Sequence, residues 1–185
     1  MSAKETAKES PLMARVKARF QKGDTLLFTH SFKGDDTVVV RADEILTVMD
    51  FLKSDPALDF DIILDVTVVD YWTKKGVRPA SAPLQPYLKE SGARYEVVYH
   101  LYSVGKNHRI RVKAPLAAAT PQINSVTSLW VGADWLEREA WDLYGVVFRG
   151  HPDLRRILLY EAFQGHPLRK DYEKTARQPL IGPRN

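Results

Sequence analysis

Leu12, Val16 and Phe20 recur at every fourth position with cations between them, which predicts a short helix over residues 9–21, stopped by Gly23-Asp24. Thr25–Thr29 and Thr37–Arg41 are β-prone runs. The turn chemistry of Lys33-Gly34-Asp35-Asp36 between them predicts a hairpin. Ile45, Leu46, Met49 and Leu52 form one apolar stripe, so Asp43–Leu52 reads as a helix, ended by Ser54-Asp55-Pro56. Phe60–Trp72, "FDIILDVTVVDYW", is long, β-branched and almost continuously apolar. That pattern predicts a central strand covered on both faces, in which Asp65 and Asp70 are out of place. Pro79, Pro83 and Pro86 make residues 76–93 an irregular connection. Tyr95–Ser103 and His108–Lys113, joined through Gly105-Lys106-Asn107, form a second hairpin; in its second arm Ile110 and Val112 alternate with Arg109, Arg111 and Lys113.

The order is α-β-β-α-β-β-β. It specifies an α+β fold: a five-stranded mixed or antiparallel sheet with packed helices. A further helix follows. Asp134 with Glu137 three residues on looks like a capping box, and Leu136, Ala140 and Leu143 form its apolar row. Arg138 and Asp142 stand at i, i+4, and Gly145 falls where a left-handed C-cap belongs. Beyond it the periodicity is lost. Pro152, Gly165, Pro167 and Pro179 break every run, and Leu154, Ile157, Leu158, Leu159, Phe163, Leu168 and Tyr172 are scattered. The expectation is an extended tail that cannot satisfy itself and needs a partner surface to lie on. Three segments result: 1–20, an N-terminal extension with its helix; 21–131, the α+β body; and 132–185, the helix and partner-binding tail.

Charge sharpens this division. Residues 1–148 carry 19 Lys/Arg and 19 Asp/Glu, whereas residues 149–185 carry 8 and 4. The whole excess of +4 therefore lies in the tail. Within the body, residues 35–70 hold ten acids against Arg41 and Lys53, and residues 71–113 hold nine cations against Glu90 and Glu96. Oppositely charged stretches beside a basic tail suit a protein seated between other surfaces. The chain has no cysteine, which excludes disulfides and thiolate ligation of zinc or an iron–sulfur cluster by this chain. No apolar run approaches the roughly 18 residues needed to span a bilayer, and residues 1–9 lack a signal-peptide core.

The tail also repeats itself. Gly150-His151-Pro152 leads to Leu154-Arg155-Arg156, and Gly165-His166-Pro167 leads to Leu168-Arg169-Lys170. Read from the residues alone, His151 and His166 are turn residues bonding a nearby carbonyl, or metal ligands of a hydrolase with the neighbouring acids; no established ligand spacing is present. Arg155, Arg156, Arg169 and Lys170 read as docking cations, as an RNA-binding patch without a recognised motif, or as a contact to anionic lipid. Glu137, Arg138, Glu139 and Asp142 read as a solvated helix face or as ion-pairing groups that fix the tail or a partner.

Taken together, Glu137-Arg138-Glu139, Trp141-Asp142-Leu143-Tyr144-Gly145, Gly150 to Leu158 and Gly165 to Tyr172 resemble the thirty-kilodalton subunit family of respiratory complex I, in bacteria the C subunit of NADH:quinone oxidoreductase. A weaker similarity covers Asp65–Tyr71 and Arg94–Lys113. Glu173 departs from the family's usual proline. The resemblance implies a structural subunit with no active site and no cofactor of its own, FMN and iron–sulfur clusters residing on partner subunits. It implies docking on the forty-nine-kilodalton-type subunit (the D subunit), peripheral to the cytoplasmic side of a bacterial inner membrane, or on the matrix side in mitochondria. Equivalent subunits occur in membrane-bound hydrogenases and in F420H2 or plastid-type quinone oxidoreductases. The expected interface residues are Glu137, Arg138, Glu139, Asp142, Gly145, His151, Pro152, Arg155, Arg156, His166, Pro167, Arg169, Lys170 and Asp171, each Gly-His-Pro turn directing a cation pair onto the neighbour.

Overall fold

Ser10 starts the first helix, its hydroxyl accepting from the Met13 amide at 3.0 Å and donating to Asp36. Pro11 occupies the first helical turn. The structure is a computed structural model describing residues 9–21, 23–73, 76–77, 87–88, 92–117, 119–175 and 177–181. Most of the proline-rich connection and residues 1–8 lie outside these. In chain order the elements are α1 (Pro11–Phe20), β1 (Leu26–Phe32), β2 (Asp35–Val40), a 3-10 turn (Ala42–Glu44), α2 (Ile45–Ser54), β3 (Ile62–Asp70), β4 (Trp72–Thr73), β5 (Gly76–Val77), β6 (Tyr95–Ser103), β7 (His108–Leu116), β8 (Gln122–Asn124), α3 (Ala133–Tyr144) and β9 (Val147–Arg149).

The two hairpins form where turn residues permit them. Lys33 and Gly34 have φ of 53° and 89°, and Asn107 has φ of 49°, so both reversals use left-handed backbone. The main sheet runs β1-β2-β7-β6-β3, with β2 and β7 parallel and the other neighbours antiparallel. It is the mixed member of the two sheet types expected. Short parallel β8–β9 and antiparallel β4–β5 pairs stand apart from it.

One sheet face is covered by the three helices. Val16 of α1, Met49 and Leu52 of α2 and Ala140 of α3 share a buried cluster with Val38, Val97, Tyr99, Leu101 and Val112. On the other face Tyr87 and Leu88 cover Val39, and buried Glu96 accepts from the Tyr71 and Tyr87 hydroxyls and from Lys113.

Two sequence expectations fail here. β3 is an edge strand, not a central one. Its burial alternates, α3 lies on one side, and a bulge between Ile63 and Asp65 leaves Leu64 52% exposed. A bulge and interspersed acids are devices that blunt an edge against strand addition. The capping box is also absent. Gly132 is the N-cap of α3 and makes no side-chain cap bond, so Asp134 lies inside the first turn and Glu137 turns into the core.

Candidate functional site: a helix clasped by its own strap

α3 carries two carboxylates that are fully buried, Glu137 and Asp142. Five residues apart, they face different parts of the molecule. Glu137 accepts from Ser125 Oγ at 2.6 Å and from the Val126 amide at 2.8 Å, fixing the loop that follows β8. Burial pushes its carboxyl up to about 7, the two donors offsetting only part of that cost.

Asp142 faces the strap formed by residues 150–181. One oxygen accepts from Arg156 Nη1 at 2.6 Å. The other accepts the consecutive amides of Ile157, Leu158 and Leu159 at 3.1, 2.9 and 2.9 Å. Burial pushes this carboxyl up, but the Leu159 amide, Arg156 and the two other amides outweigh it and hold the group below the usual carboxylate range.

The repeated phrase has a geometric counterpart. Gly150 and Gly165 both have positive φ, 81° and 89°, which reverses the chain before each histidine. His151 Nε2 donates to the Asp134 carbonyl at 3.1 Å, while its Nδ1 accepts the Asp153 amide at 3.0 Å. His166 Nδ1 donates to the Asp142 carbonyl at 2.9 Å. The two turns thus hold one helix at carbonyls eight residues apart, roughly 12 Å along its axis. Burial keeps His166 below the usual histidine range, consistent with a neutral ring serving as a clasp.

The second turn also closes the end of α3. Arg169 donates to the Tyr144 carbonyl at 2.5 Å and to the Gly145 carbonyl at 3.3 Å, and the Leu168 amide donates to the Leu143 carbonyl at 3.1 Å. These are last-turn acceptors that the helix cannot pair internally. Gly145 is required twice over. Its φ is 74°, and a Cβ there would lie 2.2 Å from Arg169 Nη2 and 2.5 Å from His166 Cδ2.

Further on, Arg94 bridges Asp70 at 2.9 Å and Asp171 at 2.6 Å, stacked 4.7 Å from the Tyr95 ring centroid. The Lys170 amide donates to Asp70 at 2.9 Å. Asp70, puzzling inside an apolar strand, ends β3 as the buried counter-charge to Arg94. Hydrogen bonding to Arg94 holds Asp171 below the usual range. At the far end Gln178 pairs with Gln164 through both amide atoms, at 2.8 and 3.1 Å, and Tyr160 donates to the Pro179 carbonyl at 2.8 Å.

Several expectations are corrected by this arrangement. The strap satisfies much of its backbone against its own chain, because α3 supplies carboxylate and carbonyl acceptors along its length. Each cation pair is split rather than directed outward. Arg156 and Arg169 turn inward, whereas the Arg155 side chain is 70% exposed and, among the described residues, ion-paired with neighbouring Asp153 alone, and Lys170 is exposed. Arg138 does not pair with Asp142. Its guanidinium donates to the carbonyls of Arg155 and Arg156, both at 3.3 Å, and stands 4.0 Å from Asp134. Glu139 and Pro152 are exposed and Pro167 is half-buried. Among the described residues no group of three His, Asp or Glu side chains could hold a metal ion, and the histidine nitrogens above are engaged with backbone. Sequence reading missed Arg94 and Ser125; the signal available was a buried-strand acid, Asp70, that required a cation.

What fold and site define together is an α+β domain whose C-terminal strap is gripped by one signature helix. Its architecture matches a solved structure titled Nqo5 of the trypsin-resistant fragment (1-134), at a TM-score of 0.59 and 29% identity over 77% of this chain and 96% of that one. A chain in the membrane-bound sulfane sulfur reductase, an archaeal respiratory membrane complex, shares the fold at a TM-score of 0.59 and 22% identity. Residues 38–178 match the family described as respiratory-chain NADH dehydrogenase, 30 Kd subunit, and the chain belongs to that family. Its relatives include proteins named as the C subunit of NADH-quinone oxidoreductase. That of Geobacter metallireducens is 42% identical over 92% of this chain and 90% of its own length. That of Geotalea uraniireducens is 39% identical over 92% and 88%. The chain is thus a member of a family of complex I subunits, and among the described residues no helix is long and apolar enough to cross a membrane.

Proposed function

We propose that this chain is a structural, cofactor-free subunit of the peripheral arm of a proton-translocating NADH:quinone oxidoreductase, docking on the forty-nine-kilodalton-type subunit. FMN and iron–sulfur clusters reside on its partners, and the subunit sits on the cytoplasmic side of the membrane without entering it. The observation that carries this reading is the clasped strap. Its inward groups are engaged by α3, leaving Arg155, Leu158, Leu168 and Lys170 on its outer side, with Leu158 61% and Leu168 48% exposed. A strap already ordered loses less conformational freedom on docking than a disordered tail. The chain would act on turnover indirectly, by holding redox and quinone-binding subunits in register.

Gentle affinity capture of the full chain from membranes, followed by mass spectrometry, tests this. The expected result is co-capture of a forty-nine-kilodalton-type subunit with flavin- and iron–sulfur-bearing proteins. Capture of the chain with none of them would overturn the reading.

A further inference from the structure

We propose that Glu137, Ser125 and Thr127 form a proton-binding site with its own path to solvent. The ligand is a single proton, held on a carboxyl inside the body and exchanged through two hydroxyls. The site is separate from the strap contacts of α3 and does not depend on what the strap docks on. Glu137 is fully buried, and its two oxygens have different partners. Oε1 accepts the Val126 amide at 2.8 Å, and an amide N–H cannot accept in return. Oε2 lies 2.6 Å from Ser125 Oγ, so a proton on the carboxyl belongs on Oε2, donated to Ser125.

Ser125 Oγ lies 2.8 Å from Thr127 Oγ1, where either hydroxyl can donate, and it accepts the Thr127 amide at 3.2 Å. Ser125 is buried, whereas Thr127 is half-buried beside exposed Ser128. Three oxygens in hydrogen-bond contact therefore lead from the core towards the surface. A hydroxyl offers one donor and two acceptor positions. With Glu137 neutral, Ser125 Oγ accepts from Oε2 and from the Thr127 amide and donates to Thr127 Oγ1. With Glu137 ionised, Ser125 donates to Oε2 and accepts from the Thr127 hydroxyl and amide. The Ser125 hydroxyl is satisfied in both states, and no heavy atom has to move between them. On discharge the Oε2–H bond breaks as Ser125 Oγ takes that proton. Ser125 passes its own proton to Thr127 Oγ1, and Thr127 passes its own to a water, leaving a carboxylate and a hydronium ion.

The surroundings keep this proton exchangeable near neutrality. Burial is the largest influence on Glu137; Ser125 and the Val126 amide oppose it, and Asp134 in the first turn of α3 adds to it, so the carboxyl is pushed up to about 7. Tyr99 on β6 is the other titratable group facing it. Its hydroxyl is fully buried, makes no hydrogen bond among the described residues, and is pushed well above its ordinary range by burial and by Glu137, so it stays neutral. Through Ser125, Val126 and Thr127 the loop after β8 offers hydroxyls and an amide, none of which titrates near neutrality.

Infrared spectroscopy of the full chain reads the C=O stretch of a protonated carboxyl directly. At about pH 6, where exposed carboxyls are ionised, we expect one such band, lost by about pH 8 and missing from Glu137→Gln. On rapid mixing into deuterium oxide, the deuterium shift of that band should slow severalfold in Thr127→Ala, with the titration midpoint little changed. Thr127→Ser should restore the rate. Ser125→Ala, a second break in the path, should slow it as well and raise the midpoint, because the charged form loses a donor. No protonated band at about pH 6 in the unaltered chain overturns the site. A rate unchanged in both Thr127→Ala and Ser125→Ala, or a slowing that Thr127→Ser does not reverse, overturns the path. Amide exchange of α3 in the same samples separates the remaining route: if it slows in step with the carboxyl, the proton escapes by local opening, and the path is overturned as well.

Discussion

Glu137 and Asp142 are both fully buried acids on one helix, yet their surroundings give them opposite character. Glu137 meets a hydroxyl and one amide, with no paired cation among the described residues, and burial dominates its carboxyl. Asp142 meets a guanidinium and three consecutive amides, and the donors outweigh the same burial. Charge on a buried side chain thus follows from the number and kind of donors more than from depth. The difference also divides labour along α3. The Glu137 carboxylate fastens the helix to the loop after β8, and the Asp142 carboxylate fastens the strap to the helix.

Breaking this contrast at its stronger side gives the largest effect. Asp142→Ala leaves Arg156 and three amides without their acceptor, a loss of about 3–5 kcal/mol for an uncompensated buried group. The expected outcome is local. Proteolysis and amide exchange should show residues 150–170 opened while β6 and β7 stay protected, because the core of the sheet does not include the strap. Protection of Ile157, Leu158 and Leu159 equal to the unaltered chain would show that the clasp does not depend on this carboxylate.

The pH dependence of stability sharpens the contrast next, because the two acids contribute with opposite sign. Asp142 and Asp171 have folded values below their unfolded ones. Their stabilisation is present above the unfolded range near pH 4 and is lost as pH falls through the folded values. Glu137 runs the other way. With a folded value of about 7, its contribution is complete below the unfolded value and is lost as pH rises to about 7. The expected loss between pH 4.5 and pH 8 is on the order of 2–3 kcal/mol. In denaturant titrations across that window Glu137→Gln should flatten this slope and leave the acid-side loss intact. A slope unchanged by the substitution would mean that Glu137 is ionised throughout.

Much of the body was legible because its signals are local. Lys33-Gly34 and Gly105-Lys106-Asn107 have one plausible use between β-prone runs, and Gly145 closes an apolar helical row. β3 was misread for a physical reason. A run such as Ile62–Asp70 looks alike whether two strands or one strand and a helix cover it, and periodicity cannot separate those cases. The bulge at Leu64 shifts the alternation by one and hides the pattern further. Asp134 and Glu137 have capping-box spacing, but Glu137 finds Ser125, a partner twelve positions away that spacing does not encode. The clasp itself was least legible. His151 and Arg169 are surface-like residue types whose acceptors are backbone carbonyls, identical in every sequence, and Arg156 meets the carboxylate of Asp142 fourteen positions back, a pairing that local periodicity does not encode.

The smallest expected effect on stability separates two adjacent arginines. Arg156 is anchored by Asp142 and by the carbonyls of Phe163 and Gly165 at 2.8 and 3.2 Å, so its truncation should loosen the strap as Asp142→Ala does. Among the described residues Arg155 has only Asp153 as an ion-pair partner, at 2.8 Å, with both side chains largely exposed. Arg155→Ala should therefore change the unfolding free energy of the isolated chain by less than about 0.5 kcal/mol. If the strap's outer side meets a neighbouring subunit, the same substitution should still lower the amount of chain recovered in the membrane complex, since a rim charge can set association without supporting the fold. Stability and incorporation then part company at Arg155 and move together at Arg156. Full incorporation of Arg155→Ala, alone and combined with Lys170→Ala, would leave the outer side of the strap without an electrostatic role in docking, and Leu158 and Leu168 would have to carry the contact through apolar burial.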